Sequence, residues 1–250
     1  MPVPRSPLVF LHGLGGGHHA WERQLPYFSA RGHPSHAWDQ PGYGHSATVE
    51  PYDLEQVALA LERLIDSLGG EPVVLIGHSM GGLVAQEAYA RFPRLVKALA
   101  LCFTSAAFVG DSDFAHKFVA ARIGPLDEGK SMADIAASVM PAMCGSKSDP
   151  EGLALAGKIM AGIPPETYRK AVHLLTTFDR REQLPGIAVP ALLIAGSDDK
   201  TAPASIMQRM SEKIPGADYV LLKGCGHLGP LEQPDAFNAA LEGFLDRRGL

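Results

Sequence analysis

The chain has 250 residues, 46% of them hydrophobic, and its 22 Lys and Arg against 27 Asp and Glu leave a formal net charge of −5. That length suits one large α/β domain, or a core carrying an insertion. The mixed, mildly acidic charge argues against nucleic acid or an anionic membrane as partner, no apolar run reaches membrane-spanning length, and three scattered cysteines give neither a disulfide framework nor a zinc-ligand spacing.

The first eleven residues are too proline-rich, and their apolar run too short, to read as a secretory signal, so a reduced, cytoplasmic protein is expected. Residues 8–11 read as a buried strand entering the glycine-rich turn His12-Gly13-Leu14-Gly15-Gly16-Gly17. A helix over 19–30 and a short strand over 35–38 follow. Asp53 with Gln56 three residues on is a capping-box pattern, and Leu54, Val57, Ala58, Leu61, Leu64, Ile65 and Leu68 mark one helical face that Gly69-Gly70 ends. The run Val73-Val74-Leu75-Ile76 then feeds Gly77-His78-Ser79-Met80-Gly81-Gly82 and a helix-like continuation. A lone serine where a buried strand turns sharply into a helix is the context that gives G-x-S-x-G a mechanism, since the glycines permit the tight bend. The bare pattern is common by chance at this glycine and serine content; its setting carries the argument.

Strands over 96–103, 189–195 and 219–222 and helices over 204–214 and 234–247 continue the alternation, which predicts a parallel sheet covered on both faces. Residues 106–186 break the rhythm. Four helices are expected there, over 113–122, 131–140, 150–161 and 166–178, punctuated by Gly124-Pro125, Pro141 and Gly162-Ile163-Pro164-Pro165. So much helix between two strands is too long for an ordinary crossover. The expected division is therefore a core of residues 1–105 and 187–250 with a helical cap inserted at 106–186.

A serine hydroxyl needs a base, and the base needs a third group to fix its tautomer. The acid and the histidine should follow the serine in that order, each on a loop at the carboxyl end of a strand. Gly196-Ser197-Asp198-Asp199-Lys200 and Lys223-Gly224-Cys225-Gly226-His227 meet that requirement. The candidates are Ser79 as nucleophile, His227 as base, and Asp198 or Asp199 as orienting acid, because only one of two adjacent side chains can face the imidazole. Backbone N–H groups of Leu14 and Met80 are the candidate oxyanion donors, Met80 lying at the positive end of the helix after Ser79.

Other histidines carry no role in this reading. His18, His19, His33 and His36 are expected at the surface or in turns, and His116 and His173 in the inserted helices. His78, beside the serine, is expected to point elsewhere. Trp21 and Trp38 read as packing residues, Cys102 as a core residue and Cys225 as the filler of a tight loop. Met132, Met140, Met143 and Met160 either line an adaptable apolar pocket or pack the helices, packing being the simpler reading. Arg122, Lys130, Arg169 and Lys170 read as solvated charges, one of which could hold a substrate carboxylate.

Along nearly its whole length the chain resembles the α/β-hydrolase family. The resemblance rests on His12-Gly13, Asp39-x-Pro41-Gly42-x-Gly44-x-Ser46, the Ser79 turn, Gly196-x-x-Asp199 and Gly226-His227. It implies Asp199 as the acid, which stands three residues after such a glycine in that family. The four-helix insertion and Gly226-His227-Leu228-x-x-Leu231-Glu232-Gln233-Pro234 look most like the β-ketoadipate enol-lactone hydrolases (3-oxoadipate enol-lactonases), with small carboxylesterases and perhydrolases close behind. Relatives with an aspartate nucleophile are set aside by Ser79, and Leu228 replaces the tryptophan usual in ring-fission carbon–carbon hydrolases. The family usually begins with two further antiparallel strands, for which the seven residues before Leu8 leave no room. About six strands are therefore expected, with an edge near 35–38 that a dimer contact or an N-terminal arm would shield. The resemblance implies a serine hydrolase of small esters or lactones, without cofactor or metal. A carbon–carbon hydrolase, a perhydrolase and a small-molecule receptor on the same fold are the alternatives.

Overall fold

A computed structural model of the chain describes residues 5–108 and 112–250. Six strands form one sheet: β1 (Leu8–Leu11), β2 (Ser35–Trp38), β3 (Val73–His78), β4 (Val96–Cys102), β5 (Ala191–Gly196) and β6 (Asp218–Leu222). Their order across the sheet is β2-β1-β3-β4-β5-β6, and every neighbouring pair is parallel. Parallel pairing puts all the carboxyl ends at one rim, with β3 in the interior of the sheet.

The two-residue period of a strand explains the layering. Leu8 and Phe10 of β1, Val74 and Ile76 of β3 and Leu192 and Ile194 of β5 point to one face. There they meet α1 (Gln24–Ser29) and α10 (Pro234–Arg248) through Phe28, Phe237, Leu241 and Phe244. Val9, Leu11, Leu75 and Leu193 point the other way, onto α2 (Leu54–Ser67), α3 (Met80–Arg91) and α8 (Ala204–Lys213). Burial on both faces is why β1, β3 and β5 are continuous apolar runs rather than alternating ones. The N-cap half of the expected capping box forms, the Asp53 carboxylate accepting the Gln56 N–H at 2.8 Å at the start of α2, without the return bond from the Gln56 side chain.

Between β4 and β5 lie α4 (Ser112–Asp127), α5 (Met132–Met143), α6 (Pro150–Ala161) and α7 (Pro165–Leu175). Gly124-Pro125 and Pro141 do not end their helices as expected; α4 and α5 run through them. Each proline sits in the last turn, so only one intrahelical bond is lost, and the residues whose carbonyls are released, Ala121 and Ala137, are exposed. The helix expected over 19–30 is instead a 3-10 turn (His18–Trp21) followed by α1. A short α9 (Gly229–Glu232) precedes α10. No partner strand covers the outer edge of β2 among the described residues. Of the described helices, none is long and apolar enough to cross a membrane.

Candidate active site

The β3–α3 turn is tight because its glycines let backbone meet backbone. A Cβ on Gly77 would lie 2.5 Å from the Gly81 carbonyl oxygen, and one on Gly81 would lie 2.1 Å from that of Leu11. Ser79 between them has φ 52° and ψ −117°, a left-handed conformation that costs a non-glycine residue about 1–3 kcal/mol. The surroundings hold it there: the Ser79 N–H donates to Cys102 O at 2.9 Å, and its carbonyl accepts from Gly82 N at 2.9 Å and Thr104 Oγ1 at 2.7 Å.

Ser79 Oγ lies 2.9 Å from His227 Nε2, and His227 Nδ1 lies 2.8 Å from Asp199 Oδ2. The other Asp199 oxygen accepts the N–H groups of Thr201 at 2.8 Å and Ala202 at 2.9 Å, so the carboxylate is fixed at both ends. Asp199 and His227 are both buried. Three loops after β3, β5 and β6 thus meet at one rim, and of the two adjacent aspartates Asp199 is the one that faces the imidazole. Asp198 turns away. It accepts the Ser146 N–H at 2.9 Å and the Ser146 hydroxyl at 2.7 Å, bonds that hold its carboxyl down at about pKa 2.

Leu14 lines one pocket at Ser79 and Met80 the other, and the N–H group of neither has a hydrogen-bond partner among the described residues. The turn carrying Leu14 is braced from below. Tyr43 hydroxyl donates to Leu14 O at 2.9 Å, and His12 Nδ1 bonds Gly13 O at 2.8 Å while its Nε2 accepts from Gln40 N at 3.1 Å. Burial lowers the His12 pKa to about 4, which keeps the ring neutral, as this donor–acceptor pattern requires.

Several residues that sequence reasoning left without a role belong to this assembly. His78 is buried and its Nε2–H donates to the His227 carbonyl at 2.7 Å; burial, with His227 nearby, lowers its pKa to about 3. Glu232, buried in α9, takes Leu228 N on one oxygen (2.7 Å) and Gly145 N (2.7 Å), Ser148 Oγ (2.5 Å) and Gly226 N (2.9 Å) on the other. The His227 N–H donates to Met143 O at 2.7 Å, and Lys147 N to Gly224 O at 2.9 Å. Residues 143–149, from the end of α5 to the start of α6, therefore clasp the histidine loop directly. His33, expected at the surface, is buried, because the turn at Gly32 folds its ring under the chain so that Nδ1 bonds Ser6 O at 2.9 Å.

Two chambers open from Ser79 and His227. The smaller, about 80 Å³, is walled by Trp21, Met140, Met143, Ile159, Met160 and Leu231, with Arg122 at its margin. The larger, about 350 Å³, runs past Phe103, Ser105, Phe108 and Ile206. Met140, Met143 and Met160 line the chamber and also pack in or against the core, so both readings hold for them, while Met132 packs in the core alone. Trp21 packs on Phe10 at 5.0 Å between ring centres and also walls the chamber. Arg169 pairs with Asp127 and Lys170 with Glu50, as surface charges do. No group of three or more His, Cys, Asp or Glu side chains is disposed to hold a metal ion among the described residues.

With this geometry in hand, residues 8–240 match the alpha/beta hydrolase family. The chain belongs to that family. Among alpha/beta hydrolases it is 27% identical to a pimeloyl-[acyl-carrier protein] methyl ester esterase of Neisseria meningitidis serogroup A, over 98% of this chain and 78% of that one. It is 29% identical to 3-oxoadipate enol-lactonase 2 of Acinetobacter baylyi, over 97% of this chain and 90% of that one. The solved structure of the enol-lactonase from Burkholderia xenovorans LB400 superposes with a TM-score of 0.84 at 28% identity, covering 97% of this chain and 92% of the other.

Proposed function

We propose that this alpha/beta hydrolase cleaves small carboxylic esters or lactones through a serine acyl-enzyme. The observation that carries the reading is the unbroken series Asp199 Oδ2, His227 Nδ1, His227 Nε2, Ser79 Oγ at 2.8 and 2.9 Å, ending beside two unpaired N–H groups. In this reading His227 Nε2 takes the hydroxyl proton as Ser79 Oγ attacks the carbonyl carbon. Asp199 holds the tautomer with Nδ1–H and stabilises the imidazolium that forms. The carbonyl oxygen, now negative, is met by the Leu14 and Met80 N–H groups. Collapse of the tetrahedral adduct breaks the ester C–O bond, and His227 returns the proton to the departing alkoxide. Water, activated by the same imidazole, then releases the acid and restores Ser79. With a lactone the departing alkoxide stays tethered to the acyl group, so one ring-opened hydroxy acid leaves. The esterase and enol-lactonase relatives support the ester and lactone class.

The test is turnover of p-nitrophenyl acetate and butyrate and of simple lactones, with a serine-reactive phosphonate to identify the labelled residue. Multiple turnovers with label on Ser79 are expected. A single slow labelling event without turnover would instead favour a receptor on this fold.

A further inference from the structure

Of the four lysine and arginine side chains on α4 and α7, three are in ion pairs: Lys117 with Asp113, Arg169 with Asp127 and Lys170 with Glu50. Arg122 has no anionic partner among the described residues, and it is the one formally charged side chain lining either chamber at Ser79. Its guanidinium carbon stands 5.2 Å from the centre of the Phe118 ring, a second wall residue, which steadies it at the chamber margin by cation–π attraction. Beside it is the buried Tyr168, whose hydroxyl has no protein partner other than the neighbouring Arg122 guanidinium. Burial raises the Tyr168 pKa and the neighbouring Arg122 opposes that rise. A planar cation free of carboxylates, lining the same largely apolar chamber as Ser79, is suited to a ligand anion that accepts two parallel N–H bonds.

Resting on the hydrolase reading, we infer that Arg122 forms a subsite for a carboxylate on the substrate, so that the preferred substrates are short esters or lactones carrying a second, ionised acid group. Size follows from the chamber: about 80 Å³, at roughly 10–15 Å³ for each water-sized position, accommodates an arm of roughly five to eight heavy atoms. The reaction is unchanged: water adds across the ester C–O bond, giving an alcohol and an acid, while the distal carboxylate stays ionised against Arg122.

The experiment compares kcat/KM for two charged esters with their uncharged amides of the same shape. One pair is methyl hydrogen succinate against methyl succinamate, with the charge on the acyl side; the other is acetoxyacetate against acetoxyacetamide, with the charge on the leaving side. Wild type should prefer the charged member of at least one pair by about tenfold to a hundredfold, the range of a hydrogen-bonded charge pair. Arg122→Met should collapse that preference at least tenfold, and Arg122→Lys should restore part of it. A preference that is absent in wild type, or intact in Arg122→Met, overturns the subsite. Binding of methyl hydrogen succinate to Ser79→Ala, measured by calorimetry, separates the two proposals. Binding that is lost in Ser79→Ala/Arg122→Met keeps the subsite even if wild type hydrolyses no ester. Turnover of uncharged esters with binding indifferent to Arg122 keeps the hydrolase and removes the subsite.

Discussion

Two adjacent carboxylates have parted into different jobs. Asp199 is buried against His227 and two backbone N–H groups, while Asp198 bonds Ser146. Asp199→Asn should lower kcat by about 10²–10⁴, since an amide can hold the wrong tautomer. Asp198→Asn should leave kcat within about threefold, because this half-buried side chain does not touch the imidazole and its amide oxygen can still accept from Ser146. Ester turnover of the two purified variants, side by side, checks the assignment, and equal losses would reverse it. Ser79→Ala should cost about 10³ or more in kcat on the same substrates. The residue types and spacing made Ser79 and His227 legible, because each needs only a strand before it and glycines around it. The choice between Asp198 and Asp199 was not legible from the residues alone. It depends on which rotamer the Thr201 and Ala202 N–H groups capture, a tertiary matter that only the resemblance to the family anticipated.

The elements show how the imidazole is aimed. Its backbone is held from three sides: by His78 on β3, by Met143 at the end of α5, and by Glu232 of α9 through Gly226 and Leu228. Glu232→Gln replaces one acceptor oxygen by an NH₂ group that faces N–H donors. It should cost about 2–4 kcal/mol in stability, from lost bonds to a buried charge, and lower kcat on neutral esters about tenfold. Urea denaturation and initial rates measure both, and an unchanged unfolding midpoint would show the carboxylate to be idle. Periodicity exposed the strands of the sheet and the long helices, since continuous β-branched runs and helical faces are local signals. It could not expose the clasp over residues 143–149, whose bonds join positions some eighty residues apart. The prolines at 125 and 141 misled because a proline in a last turn sacrifices little.

For the molecule as a whole, the two buried histidines make stability depend on pH. His12 and His78 titrate at about 4 and about 3 when folded, against 6.5 unfolded. Above pH 6.5 both are neutral in either state and their contribution is complete. As pH falls from about 6.5 towards 4, the unfolded chain takes up protons that the folded one refuses. Each histidine then removes about 1.4 kcal/mol per pH unit. The unfolding free energy should therefore drop steeply between pH 6.5 and 4. His12→Asn, which keeps a donor for Gly13 O, should lessen the slope by about 1.4 kcal/mol per unit. Urea titrations at half-unit intervals would reveal it, and parallel curves for variant and wild type would contradict it. The alternating strand–helix order foretold the six-stranded parallel sheet. The lining of the chambers was hidden, because α4 to α6 bring Arg122, Met140 and Met160 together only after folding.

The link from residues 143–149 to the histidine loop sets a rule for recombining this enzyme with its kin. A transplant that swaps α4 to α7 from another family member must carry the matching partners of Glu232 and Asp198 with it. A donor segment lacking them would leave a well-built sheet whose His227 loop is unmoored, folded yet sluggish, and restoring serines at positions 146 and 148 should recover much of the lost rate.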